Sequence, residues 1–342
     1  MQVRLEAPPW AEKLVSDLTD MDRDPRPVSA GEIVEHELPD DAYFEYGFVG
    51  ADGKVRPDPQ NEQRAKSVWY GEVSYLTGPE YEPDELAQPP ADLARGEVDR
   101  LRLESALMAG QTRRVTVYTP ADVERGAATP LAVVQDGVAM MRIGSLHLLL
   151  EALVERGEVA PLRLAFIEPI DRMIEYAFDE SYLRFVAEEL EPELTRRYDL
   201  TPRRIWIGAS LGALASAQLA LRRAAREPED ASEDAVLALS GAFLGTPESF
   251  DAYRSSESWL LERLRDASTP VPPTWHLHVG TLEWLHDVNR LAYEALAARA
   301  NVKVTYSESA AGHNWPNWKN ALPDAMRKVL GERSPEQGVS PR

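Results

Sequence analysis

The stretch that decides the fold is "RRIWIGASLGALASAQLALRR", residues 203–223. An apolar run with strand character stops at Gly208, and an alanine-rich segment with helical character follows at once. Between them Ser210 stands in the pattern Gly-Ala-Ser-Leu-Gly, which ends at Gly212. A sharp strand-to-helix turn of this kind lifts the serine hydroxyl above the sheet, and it needs small neighbours because strand and helix nearly touch. The sequence therefore predicts Ser210 as a nucleophile.

The composition excludes several classes of site and partner. The 342 residues include 57 acidic and 37 basic side chains, for a formal net charge of −20, and no cysteine. Without cysteine there is no disulfide, thiolate metal site or cysteine nucleophile. So acidic a surface repels phosphate backbones and anionic lipids, and we expect neither nucleic acid nor a membrane as a partner. The N-terminus shows no basic segment followed by an apolar core, which predicts a cytoplasmic location.

The first part of the chain reads as an all-β module. Apolar and polar residues alternate within residues 40–78, with Phe44, Tyr46 and Phe48 on one face, and the aromatic-rich "SVWYGEVSYL" predicts a further strand. The stretch that follows is rich in proline and acid, which is typical of a linker. We therefore predict an N-terminal β module with its linker over residues 1–95.

Beyond residue 100, strands alternate with helices. Continuous apolar runs, such as "PLAVVQDG" (130–137), are separated by segments with helical spacing, such as "GSLHLLLEALVERG" (144–157). Buried strands joined by helices predict a mostly parallel sheet that is covered on both faces. The sequence therefore predicts an α/β domain over residues 100–332 and a disordered tail over 333–342.

A serine hydroxyl becomes an effective nucleophile only when a base takes its proton, and that base is normally histidine. In this kind of fold the acid and then the histidine follow the serine in the chain. His313 fits that order, because it lies in the glycine-flanked loop "SAAGHNWPNW" after the last predicted strand. We therefore predict His313 as the base.

Two carboxylates compete for the role of the acid. Glu283 comes three residues after Gly280, in the loop that follows the strand "TWHLHVG". Asp287 lies about one turn further, where a helix N-cap or first-turn position explains it equally well. We predict Glu283 as the acid, with Asp287 as the alternative, and expect a Glu283 oxygen within about 3.2 Å of a ring nitrogen of His313.

An oxyanion hole needs two backbone N–H groups. One should come from Leu211, directly after the serine, and the other from the loop in "VVQDGVAM", where Val138 supplies it. Gly137 would permit a sharp turn there and Asp136 could brace it, although Asp-Gly is also an ordinary turn sequence.

These segments together resemble the esterase family of the α/β-hydrolase fold that is typified by enterochelin esterase and esterase D. The resemblance runs over about residues 113–330, from "VVQDG" and "IEPIDRMIEY" to "GTLEWLHDVNRLAYEAL" and "AGHNWPNW". It implies the roles given above and adds a substrate pocket. Its expected lining residues are Asp136, Arg172, Glu175, Tyr176 and Trp315. For Arg172, Glu175 and Tyr176, a structural ion pair and a packed ring are the alternative.

The N-terminal stretch "LPDDAYFEYGFVGADGKVRPDPQN" also resembles these enzymes, which carry an early-set β-sandwich before the catalytic domain. The family's pattern accounts as well for the segment that contains His276, His278, His286 and Asp287, whose side chains would otherwise suit zinc. The resemblance thus implies a small N-terminal β-sandwich-like domain, an α/β-hydrolase domain, and no metal or other cofactor.

The leading hypothesis is a serine ester hydrolase that acts through an acyl-enzyme on a small-molecule carboxylic ester. An acyltransferase would use the same residues, with an alcohol or sugar in place of water. A non-catalytic binding protein on the same fold is the alternative from another class. The sequence leaves the identity of the ester and the existence of a homodimer open.

Overall fold

The computed structural model describes residues 1–21, 23–90, 93, 96–124, 126–250, 255 and 257–331. By its internal packing the chain divides into two units. The first unit comprises residues 1–84, 279–287 and 307–320, and the second contains the remainder of the described chain. The domain boundaries at residues 95 and 100 stay predictions, and the tail expected at 333–342 lies outside the described residues.

The N-terminal part of the first unit is built from short strands. They are β1 (Gln2–Glu6), β2 (Ala11–Ser16), β3 (Arg26–Pro27), β4 (Ile33–Glu37), β5 (Tyr43–Gly50), β6 (Val55–Arg56), β7 (Arg64–Ala65) and β8 (Val73–Thr77). β1 pairs with β4, and an antiparallel sheet runs in the order β3-β2-β5-β8-β7, with β6 also on β5. The predicted all-β character is confirmed. The stretch predicted as one strand from Ser67 is strand only over β8.

The central strand β5 explains why this part of the chain packs as it does. Phe44, Tyr46 and Phe48 lie on one face of it and are fully buried, as the alternation predicts. A buried tyrosine hydroxyl needs a partner, and Tyr46 donates to Oδ2 of Asp58 at 2.8 Å. Asn61 donates from Nδ2 to the carbonyl of Tyr75 at 2.8 Å. The turn at residues 58–61, with the sequence Asp-Pro-Gln-Asn, therefore supplies the hydrogen-bond partners of the buried Tyr46 hydroxyl.

The second unit is built on an eight-stranded mixed sheet, of which residues 279–280 and 307–309 are counted with the first unit. Its strands are β9 (Glu97–Ser105), β10 (Gln111–Thr119), β11 (Thr129–Val134), β12 (Arg163–Ile167), β13 (Leu200–Ala209), β14 (Ala235–Leu239), β15 (Thr274–Gly280) and β16 (Lys303–Ser309), in the order β16-β15-β14-β13-β11-β12-β10-β9. From β12 through β11, β13 and β14 to β15 the neighbours are parallel. β10 is antiparallel to both β12 and β9. The predicted parallel sheet is thus present, with an antiparallel ribbon at one edge.

Helices connect these strands. They are α1 (Gly137–Arg142), α2 (Leu146–Glu155), α3 (Arg172–Glu175), α4 (Glu180–Arg184), α5 (Glu191–Arg197), α6 (Leu211–Arg226), α7 (Trp259–Arg265), α8 (His286–Ala297) and α9 (Trp315–Leu330), with a π-helical stretch, Phe185–Leu190, between α4 and α5. β14 is buried along its whole length, as a strand covered on both faces should be. Of the helices within the described ranges, none has the length and apolar character that crossing a bilayer requires.

Candidate active site

The predicted strand-to-helix turn is present in the second unit, and it holds Ser210 in an unusual backbone conformation. β13 ends at Ala209 and α6 begins at Leu211, with Ser210 between them at φ 56° and ψ −124°. Residues other than glycine enter this region only at a cost of about 1–3 kcal/mol. The Ser210 N–H donates to the carbonyl of Leu239 at 2.9 Å, and the Ser210 carbonyl accepts from the N–H of Ala242 at 3.1 Å. The end of the neighbouring strand therefore fixes the turn.

Two glycines give this turn the space it needs. A Cβ at Gly208 would lie 2.2 Å from the carbonyl carbon and oxygen of Gly212, in the first turn of α6. A Cβ at Gly212 would lie 3.0 Å from Oδ2 of Asp136 and 3.1 Å from the Cβ of Gln135. Gly208 thus allows the helix to start against the strand, and Gly212 allows the loop after β11 to approach the helix. Glycine is therefore needed at both positions, at Gly208 because of the helix and at Gly212 because of the loop after β11.

Three of the predicted pocket residues lie together beside this turn. Arg172 binds Asp136 with two parallel hydrogen bonds, from Nε to Oδ1 at 2.7 Å and from Nη2 to Oδ2 at 2.9 Å. The same Nη2 donates to the carbonyl of Ala209, the residue before Ser210, at 3.3 Å. The Asp136 N–H donates to the hydroxyl of Tyr176 at 2.8 Å, and burial raises the pKa of that hydroxyl well above its usual value. Arg172 therefore ties the loop after β11 to the backbone of the serine turn.

Glu175 is part of a structural ion pair. Arg113, which is fully buried, donates from Nη1 to Oε1 of Glu175 at 2.7 Å and from Nη2 to Oε2 at 2.6 Å. Oε1 also accepts from the N–H groups of Ile170 and Asp171 at 3.2 and 3.3 Å. Both carboxylate oxygens are thereby engaged within the protein. This is the structural alternative that the sequence leaves open for Glu175, and its role in a substrate pocket stays a prediction.

The two predicted oxyanion donors differ in what they contact. Leu211 is the first residue of α6, and the first N–H groups of a helix have no partner inside the helix. The N–H of Val138 instead donates to Oε2 of Glu168 at 2.9 Å. A carboxylate oxygen therefore occupies the position that a substrate oxyanion would take at Val138. The assignment of Leu211 and Val138 as oxyanion donors stays a prediction.

In the first unit, the contact expected between Glu283 and His313 is present. Oε2 of Glu283 lies 2.5 Å from Nδ1 of His313, and both side chains are buried. The other carboxylate oxygen, Oε1, accepts from the N–H of Gly280 at 2.8 Å. Both oxygens of the carboxylate are thus fixed, one by the end of β15 and one by the imidazole. This geometry holds the ring with Nδ1 toward the acid and Nε2 away from it.

Asp287, the alternative acid, lies elsewhere. It is the second residue of α8, and its side chain is 81% exposed. Its Oδ1 lies 3.5 Å from Nδ1 of His286, whose Nε2 is 2.8 Å from Oε1 of Glu308. The first-turn position that the sequence offers as the alternative explanation for Asp287 is therefore the one it has.

Three indole rings surround the imidazole of His313, which sequence reasoning did not foresee. The centroids of Trp69, Trp284 and Trp318 lie 5.6, 4.8 and 5.0 Å from that of His313, with interplanar angles of 27°, 43° and 87°. Trp69 comes from the turn between β7 and β8, inside the stretch predicted as a strand. Trp315, a predicted pocket residue, is buried with its ring centroid 5.1 Å from that of Trp318. For Trp69 the signal in the sequence was the aromatic composition of its own segment.

The buried carboxylate of Asp17, in the short 3₁₀-helix that follows β2, supports the loop that carries His313. Oδ2 of Asp17 accepts from the N–H of Glu45 at 2.7 Å and from Nδ2 of Asn314 at 3.4 Å. Burial is the largest cause that raises the pKa of Asp17, and the neighbouring Glu283 carboxylate adds to it. A Cβ at Gly312 would lie 2.0 Å from Oδ1 of Asp17. Glycine at 312 is therefore what lets this carboxylate reach the loop.

His276, one of the histidines weighed for zinc, has a partner within the protein. Nδ1 of His276 lies 2.8 Å from the hydroxyl of Thr305, and burial lowers the pKa of this imidazole to about 4. Across the described residues, no group of three or more histidine and carboxylate side chains has an arrangement that could hold a metal ion.

Comparisons with known proteins bear on the family and the fold of this chain. Residues 105–329 match the sequence model of a family described as "Putative esterase". No curated protein sequence matches the chain. Among solved structures, enterochelin esterase from Shigella flexneri is similar over 96% of this chain and 91% of its own, with a TM-score of 0.69 and 20% identity.

Two further structures extend the comparison. Ferric enterobactin esterase from Salmonella typhimurium has a TM-score of 0.71 and 16% identity, over 96% of this chain and 92% of its own. An IroE-like serine hydrolase from Shewanella oneidensis has a TM-score of 0.51 and 16% identity, over 68% and 80%. At these identities the likeness concerns the fold, which is the predicted α/β-hydrolase fold with an N-terminal antiparallel β domain.

Proposed function

We propose that this protein cleaves carboxylic esters through a covalent acyl-enzyme on Ser210. The chain belongs to the Putative esterase family and is therefore an esterase. In this proposal Oγ of Ser210 attacks the ester carbonyl while Nε2 of His313 takes the hydroxyl proton. The imidazolium then gives that proton to the leaving alcohol. Water, activated by the same nitrogen, hydrolyses the acyl-enzyme and restores the serine.

The observation that carries the proposal is the backbone at Ser210. Its φ of 56° and ψ of −124° are unfavourable for a residue with a side chain, and glycine would occupy this position at no such cost. A serine held there by two backbone hydrogen bonds, between a buried strand and a helix, has the conformation of the nucleophile turn in this fold. The strain is explained if the hydroxyl at this point is the reacting group.

In the proposed mechanism His313 is the base, and Glu283 orients its imidazole and stabilises its charged form. Glu283 binds Nδ1 of His313 at 2.5 Å, so that Nδ1 carries the proton and Nε2 is left as the acceptor. When the ring becomes positive during the reaction, the buried carboxylate stabilises it. The contact supports Glu283 as the acid, whereas Asp287 is exposed at the start of α8.

The proposed oxyanion donors are the backbone N–H groups of Leu211 and Val138. A donor that is aimed at the developing charge is worth about 2.7–4 kcal/mol in comparable sites. The Val138 amide already binds an anionic oxygen, that of Glu168, at 2.9 Å. In the proposed reaction the oxyanion of the tetrahedral intermediate replaces the carboxylate at this amide.

The test is a set of p-nitrophenyl esters of increasing acyl length, together with a fluorophosphonate probe. We expect labelling at Ser210, and Ser210→Ala should lower kcat by about 10⁶ while the melting temperature changes little. Ser216→Ala is the matched control, because Ser216 is a buried serine on α6 that lies outside the turn. Labelling at another serine, or near wild-type activity in Ser210→Ala, would reject the nucleophile.

The same assay separates hydrolysis from acyl transfer. A hydrolase releases the free acid in the presence or absence of added alcohols, whereas an acyltransferase forms the new ester in proportion to the alcohol. We propose hydrolysis of a small-molecule ester as the reaction. Cytoplasmic location and a homodimer stay predictions, to be tested by fractionation and by light scattering.

A further inference from the structure

A cavity lined by four arginines adjoins the proposed oxyanion loop. Its volume is about 350 Å³, and its lining includes Arg100, Arg102, Arg114 and Arg142 together with Val138 and Glu168. The arginines come from β9, β10 and the last residue of α1. In a chain with 57 acidic and only 37 basic side chains, four arginines around one cavity stand apart from the acidic composition.

The sheet register places two of these arginines directly opposite each other. β9 and β10 are antiparallel, with Arg102 directly opposite Arg114 and Arg100 opposite Thr116. Residues two apart on a strand share a face, so three of the arginines lie on one face of the ribbon. Like charges placed directly opposite each other destabilise a sheet.

The charges of the cavity are not neutralised within the protein. In the part of the chain that the structure describes, no ion pair joins any of the four arginines to a carboxylate. All four residues are exposed and therefore accessible from solution. Glu168 is the one carboxylate among the lining residues, and one of its oxygens accepts from Val138. The four arginines and the one glutamate give the lining of the cavity a formal charge of about +3.

The loop after β11 connects this cavity to the serine turn. Gly137 and Val138 line the cavity. The preceding residue, Asp136, binds Arg172, which in turn donates to the carbonyl of Ala209 beside the serine. A group bound among the arginines would therefore lie one short loop away from the proposed oxyanion donor. Guanidinium groups bind carboxylate and phosphate oxygens with paired, charge-assisted hydrogen bonds.

We propose that this cavity is a substrate subsite for an anionic group, a carboxylate or a phosphate, and that the enzyme therefore prefers esters that carry such a group. The inference rests on the proposed esterase function and names the substrate class of that same site. The acidic surface keeps other anions away from most of the protein, and the cavity provides the local exception. The bound anion also removes the repulsion between Arg102 and Arg114.

The test compares esters that differ in one charged group. Mono-p-nitrophenyl succinate and p-nitrophenyl butyrate have acyl chains of equal carbon number, and only the first ends in a carboxylate. 4-Carboxyphenyl butyrate and phenyl butyrate place the same difference on the alcohol side. For the full-length enzyme we expect kcat/KM to favour the anionic ester at least tenfold in one of the two pairs. That preference should fall as sodium chloride rises from about 0.01 to 1 M, because salt screens exposed charges.

Substitutions at the opposed pair identify the source of the preference. Arg102→Gln and Arg114→Gln should each lower the ratio of kcat/KM for the anionic over the neutral ester about tenfold. Glu168→Gln should raise that ratio, because it removes the one negative lining charge. Arg102→Lys should recover part of the loss. Arg4→Gln on β1, an exposed arginine outside the cavity, is the control and should leave both ester pairs unchanged.

A stability measurement separates a binding role from a structural one. If the opposed arginines repel each other, Arg114→Gln should leave the melting temperature unchanged or raise it while the anionic preference falls. A lowered melting temperature with an unchanged ratio would overturn the proposal. So would a wild-type enzyme that hydrolyses the neutral esters but shows no salt-dependent preference in either pair. Absence of hydrolysis of every ester would reject the proposed function itself, which is a different result.

Discussion

Glutamine at position 283 tests the proposed acid because it keeps the shape of the side chain and changes its hydrogen-bonding capacity. The Glu283 carboxylate accepts two hydrogen bonds, from Nδ1 of His313 at 2.5 Å and from the N–H of Gly280 at 2.8 Å. Glutamine has one acceptor and one donor. In Glu283→Gln the amide NH₂ must therefore face either the imidazole or the Gly280 N–H.

The two orientations have different costs. If the NH₂ faces His313, Nδ1 becomes the acceptor and the ring takes the wrong tautomer for its role as base, which in comparable triads lowers kcat by about 10⁴. If the NH₂ faces Gly280, two N–H groups oppose each other in a buried site, which costs about 1–3 kcal/mol of stability. We expect kcat to fall by about 10²–10⁴ with little change in KM. The free energy of unfolding should decrease by about 1–3 kcal/mol if the NH₂ faces Gly280.

Steady-state hydrolysis of p-nitrophenyl butyrate and urea denaturation of the same preparations measure both effects. Asp287→Asn is the matched control, because its carboxylate is 81% exposed and lies on the first turn of α8. It should retain activity and lose at most about 0.5–2 kcal/mol of stability. If Glu283→Gln keeps kcat within about threefold of the wild type, the enzyme works without this acid and the reasoning is refuted. Loss of activity in Asp287→Asn alone would transfer the role to Asp287.

Two further predictions follow from close contacts in the two units. Gly208→Ala places a Cβ 2.2 Å from the backbone of Gly212, so we expect a loss of about 1–3 kcal/mol in urea denaturation and a lower kcat. Gly71→Ala, where the new Cβ would meet no heavy atom within 4 Å, is the control, and equal stability of the two variants would contradict the explanation. Burial raises the pKa of Asp17, so the folded protein holds a proton that the unfolded chain releases above about pH 4. Stability should therefore decline as pH rises above that value, until the folded pKa is passed, and Asp17→Asn should flatten the decline between about pH 5 and 8. An unchanged slope of unfolding free energy against pH would show that Asp17 is ionised in the folded state.

Local patterns in the sequence were sufficient to predict the serine turn, and they suggested an order for the proposed catalytic residues. Gly208, Ser210 and Gly212 act within five residues of each other, so their spacing carries the steric requirement of the turn directly. The position of His313 follows from chain order in the fold, and the Glu283 contact from a loop that starts at the end of β15. The serine turn depends on short-range geometry, which a single sequence records, and the other two features depend on the chain order of the fold.

The remaining features depend on residues that are far apart in the chain. Asp17 contacts Asn314 across 297 residues, and no periodicity in either segment marks that contact. Trp69, which stacks on His313, is also distant from it in the chain, and the sequence around Trp69 resembles a strand. The opposed Arg102 and Arg114 become visible only once the register of β9 and β10 is known. In each case the sequence contains the residues, but the pairing depends on which strands and loops become neighbours.

The contact between Asp17 and Gly312 has a consequence for how this protein can evolve and be engineered. The Asp17 carboxylate fills the space where any other residue at 312 would place its Cβ, 2.0 Å away. A recombination event that joined these N-terminal strands to another hydrolase would therefore fail unless the recipient also had glycine before its histidine. Conversely, a lineage that discarded the strands would leave a void and an unsupported amide at Asn314. A chimaera should therefore exchange the segments around Asp17 and Gly312 at once.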